Sequence, residues 1–241
     1  MSGIHSTAFI SPGVTVGSEV TVGPLAVILG PTVIGDGAWI GPGAKIGGPP
    51  EISSLPQLAA WDGETGYEGV RLGAGVVIRE NVVIHQGSRR PTSVGDGTWL
   101  LNSCYLAHDV VVGHNVTVSA GVQIGGHVEI GDHANIGMGA VIHQHRIIAP
   151  GAMVGMGTPI ARDVPPFSKV FGSPARIQGV NRHTLHRLGA SEEDVARLEA
   201  VYSSGNGDGL DAEGWASIAP HIRWWLDHSG LRVLRRAGVK L

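Results

Sequence analysis

Five residues carry the chemistry this chain could perform. His108 is followed directly by Asp109, and His85, His127 and His143 recur at similar offsets from aliphatic residues. An imidazole that titrates near neutrality can take a proton from a hydroxyl or amine as it attacks a carbonyl. A neighbouring carboxylate can fix the tautomer or stabilise the imidazolium. That makes His108 the candidate general base and Asp109 its partner. A backbone N–H near Gly126 could meet a developing oxyanion without a side chain in the way. The only cysteine, Cys104, is near the same residues and is a minor candidate nucleophile. Clustered histidines also suit zinc, so metal chemistry is the competing reading.

These residues can act together only if the fold gathers them, and the repeat says how. Aliphatic residues fall every sixth position at Ile4, Ile10, Val16, Val22, Ile28, Ile34, Ile40 and Ile46, often followed by glycine. The register resumes at Leu72, Ile78 and Ile84, shifts by four, and runs from Val94 to Ile160. Small residues recur between the aliphatic ones, as at Ala38, Ala44, Ala134, Ala140 and Ala152. Period six with glycine suits neither a helix nor an ordinary strand. It suits a solenoid in which each hexad gives a short strand and a turn, three hexads close a triangular coil, and coils repeat every 18 residues. Leu106, Ile124 and Ile142 are 18 apart, and the Ile84 hexad joins them once the shift is subtracted. One face of the prism is therefore expected to carry His85, His108, His127 and His143 as a single column.

Two interruptions, at about 49–70 and 88–93, exceed a turn. Trp61, Asp62 and Tyr67 in the first could form a lid. Arg89 and Arg90 in the second could steer an acidic partner or a phosphate, though a solvated loop is the plainer reading. The repeat ends near Pro165 and Pro166, giving a β-helix over 1–166 and a helical cap over 167–241. In the cap, Ser191 with Asp194 resembles a capping box, a glycine-rich stretch spans 205–209, and Ile218, Ile222, Trp225 and Leu226 mark a further helix. The 38 glycines among 241 residues belong to the repeat rather than to disorder, since 42% of residues are hydrophobic. A net charge of −3 gives no general reason to expect nucleic acid. No apolar run is long enough to span a bilayer, residues 1–7 lack a signal-peptide pattern, and one cysteine excludes an intramolecular disulfide framework. The reading is a cytoplasmic protein without stable membrane insertion.

The segments IRENVVIHQG (78–87), LAHD (106–109), GGHV (125–128), IHQ (142–144), RDVPP (162–166) and GVN (179–181), in that order, resemble the UDP-N-acetylglucosamine O-acyltransferases of lipid A synthesis. The resemblance implies a left-handed parallel β-helix, a homotrimer with sites between subunits, no bound cofactor, and a (3-hydroxy)acyl donor presented as a thioester on acyl carrier protein. It implies His108 as base, Asp109 as partner and Gly126 as oxyanion amide. His85, Tyr105, His127, His143, Gln144, Asn181 and Arg187 would bind the sugar acceptor or pantetheine arm, and Met156 would limit acyl length. Two departures concern the acceptor. Tyr105 stands where the family has histidine, and His183, Arg187 and Leu188 replace a glutamate and two arginines. Another sugar or an amine is thus an alternative acceptor, and coenzyme A an alternative donor. The γ-class carbonic anhydrases share the fold but pair metal histidines five residues apart. Ser119 follows His114 at that spacing, and Gly113 follows His108, so no metal is expected.

Overall fold

A computed structural model describes residues 3–57, 61, 66–203, 210–211 and 213–228. The hexads form a parallel β-helix of about nine turns. Its strands, mostly two or three residues long, run from β1 (Gly3–Ile4) to β23 (Pro159–Ile160) and build three sheets, each hexad passing to the next sheet in rotation. Parallel pairing at 18-residue intervals is kept wherever the chain is uninterrupted, as in Leu106 opposite Ile124 and Ile124 opposite Ile142. Because each sheet buries one side, the aliphatic residue of every hexad from Val22 onward turns inward. Ile84, Leu106, Ile124, Ile142 and Ile160 form one such ladder, each almost wholly buried. Burial of each such side chain stabilises by about 1.5–3 kcal/mol.

Both expected interruptions appear as register jumps. Ile34 pairs with Leu72, Ile40 with Ile78 and Ile46 with Ile84, all 38 apart instead of 18. Leu72 pairs with Val94 and Ile84 with Leu106, both 22 apart. The inserted residues therefore leave the prism and the stacking continues beneath them. Asp62, one of the three residues of the expected lid, lies outside the described residues, as does the stretch 205–209. Trp61 is exposed, and the Tyr67 hydroxyl donates to the Pro56 carbonyl at 2.5 Å.

Most turns place the third residue after the inward aliphatic in the left-handed region. Glycine fills it at Gly37, Gly97 and Gly139, while Asn81, Ser103, Asn115, Asp109, His127 and His145 occupy it elsewhere. Past Ile160 the chain adds β24 (Ser168–Phe171), parallel to β22 (Met153–Val154), and returns antiparallel as β25 (Arg176–Val180). Among the described residues three helices follow: α1 (Arg182–Arg187), α2 (Glu192–Ser203) and α3 (Ala219–His228). Tyr202 is buried with its hydroxyl donating to the Pro166 carbonyl, and His221 meets Phe167 edge-on at 5.5 Å between ring centres. Helix α3 then reaches the outer side of the sheet containing β15 (Val111–Val112) and β18 (Glu129–Ile130). Its His228 comes within 4.0 Å of Glu129. No described helix is long and apolar enough to cross a membrane.

Candidate active site

The site is assembled by the corner that follows the second sheet, and the coil stacking explains its geometry. Asp109, His127 and His145 occupy the left-handed turn position of successive coils, with φ of 61°, 59° and 57°. Side chains in that position stack along the prism. His127 and His145 are parallel at 4.6 Å between ring centres, and His127 Nε2 is 3.8 Å from Asp109 Oδ2. One position earlier, His108 sits directly below Gly126, and its ring meets His127 edge-on at 5.0 Å.

Asp109 has no exposed surface and is tightly held. Its Oδ1 accepts from the backbone N–H groups of Ser88, Arg89 and Arg90 at 3.0, 2.7 and 2.9 Å. Its Oδ2 accepts from the Ser88 hydroxyl at 2.7 Å and lies 2.7 Å from His108 Nδ1. Burial raises the carboxyl's pKa, but the Arg89 and Arg90 amides, His108 and Ser88 outweigh it. The group is held well below the ordinary carboxylate range. Being ionised, it makes Nδ1 of His108 the donor and leaves Nε2 free to accept a proton.

Glycine at 126 is required by this contact. A Cβ there would fall 2.7 Å from Cε1 and 2.8 Å from Nε2 of His108. The Gly126 amide donates no hydrogen bond among the described residues, whereas the same turn position at another corner is satisfied by Asp36 above Ser18 and Asp132 above His114. A proton-accepting nitrogen and an unengaged amide thus lie side by side. His127 has its pKa lowered, first by burial, with Asp109 opposing and His145, His108 and Arg90 adding to the fall.

The expected single histidine column is therefore corrected to three adjoining ones. His85 and His143 stand one residue after the inward aliphatic, His108 two after, and His127 three after. His143 lines a shallow groove on the neighbouring sheet with Tyr105, Gln123, Val141 and Gln144. His85 lies beside Tyr105 at 5.5 Å, but its Nδ1 is 2.8 Å from the Pro49 carbonyl oxygen and 3.2 Å from Glu51, so it clasps the root of the long insertion. Asn181 is buried as the N-cap of α1, its side-chain nitrogen donating to Gly151 and Thr184. Arg187 is exposed and faces His133. Met156 is 73% exposed, so its side chain lies outside the prism interior. Cys104 points inward, its thiol bonded to the Ser119 carbonyl at 3.0 Å and pushed by burial to about 11, a poor nucleophile.

His108, Asp109 and His127 form a group whose ligand atoms lie within 4.8 Å. Both Asp109 oxygens are already engaged by the donors described above, so the carboxylate is arranged to orient an imidazole rather than to ligate an ion. Sequence reasoning missed Ser88, Glu129 and His145. Counting three residues past each inward aliphatic would have found His145, since 109, 127 and 145 are successive coil equivalents.

The fold is that of a hexapeptide-repeat protein: a family model described as bacterial transferase hexapeptide (six repeats) matches residues 91–126 and 111–144. A second, described as domain 2 of UDP-N-acetylglucosamine O-acyltransferase, matches 163–210. A solved UDP-N-acetylglucosamine acyltransferase is 30% identical over 84% of this chain and 83% of its own, with a TM-score of 0.74. The enzyme of that name from Bacteroides fragilis is 24% identical, covers 96% and 99%, and superposes at 0.81, which shows the shared fold. The curated acyl-[acyl-carrier-protein]--UDP-N-acetylglucosamine O-acyltransferase of Halorhodospira halophila is 40% identical over 121 residues, about half the length of each chain (49% of this one, 47% of that one). The chain belongs to the UDP-N-acetylglucosamine O-acyltransferase family.

Proposed function

We propose that the protein transfers an acyl group from a thioester on acyl carrier protein to a hydroxyl of UDP-N-acetylglucosamine or a related sugar, with His108 as general base. The observation that carries this is the buried Asp109 carboxylate bonded to His108 Nδ1, with the His108 ring packed against Gly126. In the forward step the acceptor oxygen attacks the thioester carbonyl carbon as its proton passes to Nε2. Negative charge gathers on the carbonyl oxygen and is met by the Gly126 N–H. The intermediate then collapses, the carbon–sulfur bond breaks, and the departing sulfur takes the proton back from the imidazolium. No bound cofactor or metal enters these steps. The exposed groove of Tyr105, Gln123, His143 and Gln144 beside the dyad is offered as the path for the acceptor and the pantetheine arm. The reading includes a homotrimer in the cytoplasm, and its donor and acceptor are supported by the likeness to acyl-[acyl-carrier-protein]--UDP-N-acetylglucosamine O-acyltransferases.

A second reading concerns the acceptor alone. Tyr105 offers a phenol where an imidazole is expected, Asn181 spends its side chain within the cap, and Arg187 faces His133. A different sugar, or an amine, fits those departures with the same acyl-transfer steps. The test offers acyl carrier protein and coenzyme A thioesters of several lengths with UDP-N-acetylglucosamine and follows thiol release. His108→Ala is expected to lower the rate by about 10²–10⁴-fold with the assembly intact. Full activity in that variant would remove the general-base reading, and thiol release without acylated UDP-N-acetylglucosamine would move the acceptor elsewhere.

A further inference from the structure

Arg90 does not project from its loop as a free cation. Its Nε donates to the backbone carbonyl of Asp109 at 2.9 Å, its own amide donates to the Asp109 carboxylate, and its Nη1 reaches Glu129 Oε1 at 2.5 Å. Glu129 projects outward from β18, opposite Val111 in the register, one coil beyond the dyad and on a different sheet from His108. It touches neither His108 nor the groove that carries His143. It holds Arg90 from behind, and Arg90 holds both the backbone and the carboxylate of Asp109.

We propose that Glu129 is a positioning residue that acts through Arg90 to fix the Asp109–His108 pair. The four-residue insertion before β12 (Thr92–Val94) gives this arrangement its logic. It supplies the three amides and the hydroxyl that surround Asp109, and such a loop keeps its shape only if something anchors its far side. Thr92 anchors one end by accepting from the Asp109 amide at 2.9 Å, and the Glu129–Arg90 pair anchors the other. Both ionic side chains are only partly exposed, 37% for Arg90 and 24% for Glu129, so solvent screens the pair less than it would an open surface contact. A bidentate-capable guanidinium is needed to span the two anchors, which a lysine could not do with one nitrogen.

The kinetic part rests on the acyl-transfer reading; a spectroscopic part does not. Glu129→Ala leaves Arg90 charged but unanchored. Positioning predicts a fall in kcat of about 10–100-fold with KM for the acyl-carrier thioester unchanged. Glu129→Gln, which keeps a carbonyl acceptor for Arg90, should restore most of the loss. If Arg90 instead served to attract an acidic donor, removing Glu129 would lower the donor KM and leave kcat alone, and that result overturns the proposal. Independently, the hydrogen-bonded Nδ1 proton of His108 can be followed by NMR in histidine-labelled protein. It should weaken and exchange faster in both Glu129→Ala and Arg90→Ala than in the wild type. An unchanged resonance in either variant overturns the proposal, even if the wild-type chain transfers no acyl group and the functional reading has failed.

Discussion

At Gly126 a single hydrogen atom in place of a methyl group separates a working corner from a blocked one. An added Cβ would stand 2.7 Å from the His108 ring, so the imidazole would have to leave Asp109 or push the coil apart. Gly126→Ala keeps the backbone N–H but displaces the His108 ring, and is therefore expected to lower kcat by about 10²–10⁴-fold, as loss of a general base does. Circular dichroism should stay that of the wild type, and an active variant would show that the ring does not work in this position. Asp109 makes a second prediction. Its carboxyl is depressed in the folded state, so its contribution to stability is fully present above the unfolded value of about 3.9 and is lost as pH falls below that value toward the folded one. Wild type and Asp109→Asn should differ most in urea midpoint near neutrality and converge on acidification below about pH 4. A constant difference down to the lowest pH would contradict it. The His108–Asp109 contact was legible because the two residues are consecutive. The amide nest around Asp109 was not legible, since backbone donors leave no mark in side-chain identity.

At the scale of the element, the turn decides what stacks on what. The hexad rhythm revealed the strands, and the two insertions were legible as breaks in it, because an inward aliphatic is needed on every rung. The turn conformation was hidden. Histidine, asparagine and glycine all occur at the left-handed position, so its chemistry could not be read from residue type, and His85, His108, His127 and His143 were assigned to one column instead of three. The same position predicts a division between stability and function. A left-handed non-glycine residue costs about 1 kcal/mol or more. Leu25, with φ of 59° and 69% exposure, carries that cost without a role in the corner. Leu25→Gly should raise the unfolding free energy by up to about 1 kcal/mol and leave acyl transfer unchanged, while His127→Gly should relieve the same strain and lose activity. Equal activities in these two variants would remove His127 from the site. In the helical tail the capping signal was legible and is realised, the Asp194 amide donating to Ser191 Oγ at 3.0 Å.

Viewed as a whole molecule, the protomer has a tightly held dyad beside a groove that no described residue covers. His143 and Gln144 are exposed, Val141 is 51% exposed at the start of the same strand, and Met138 and Met156, one coil apart at the preceding corner, are 55% and 73% exposed. Apolar side chains in that state cost free energy in water, at roughly 25 cal/mol for each Å² that could be buried. An acyl-transfer site also gains from excluding water, since hydroxide or water would otherwise compete for the thioester. Both demands are met if the groove faces an equivalent protomer around a threefold axis, with each subunit closing its neighbour's site. Sedimentation is thus expected to give three times the 25.0 kDa of the chain, and activity should fall on dilution in step with dissociation. Val141→Glu combined with Met138→Glu places charge where cover is expected and should yield a folded monomer with kcat reduced at least about 100-fold, the loss that follows when orientation and closure are removed. A monomeric wild type with full activity would show that one protomer suffices, and the groove would then have to be closed by the substrate itself.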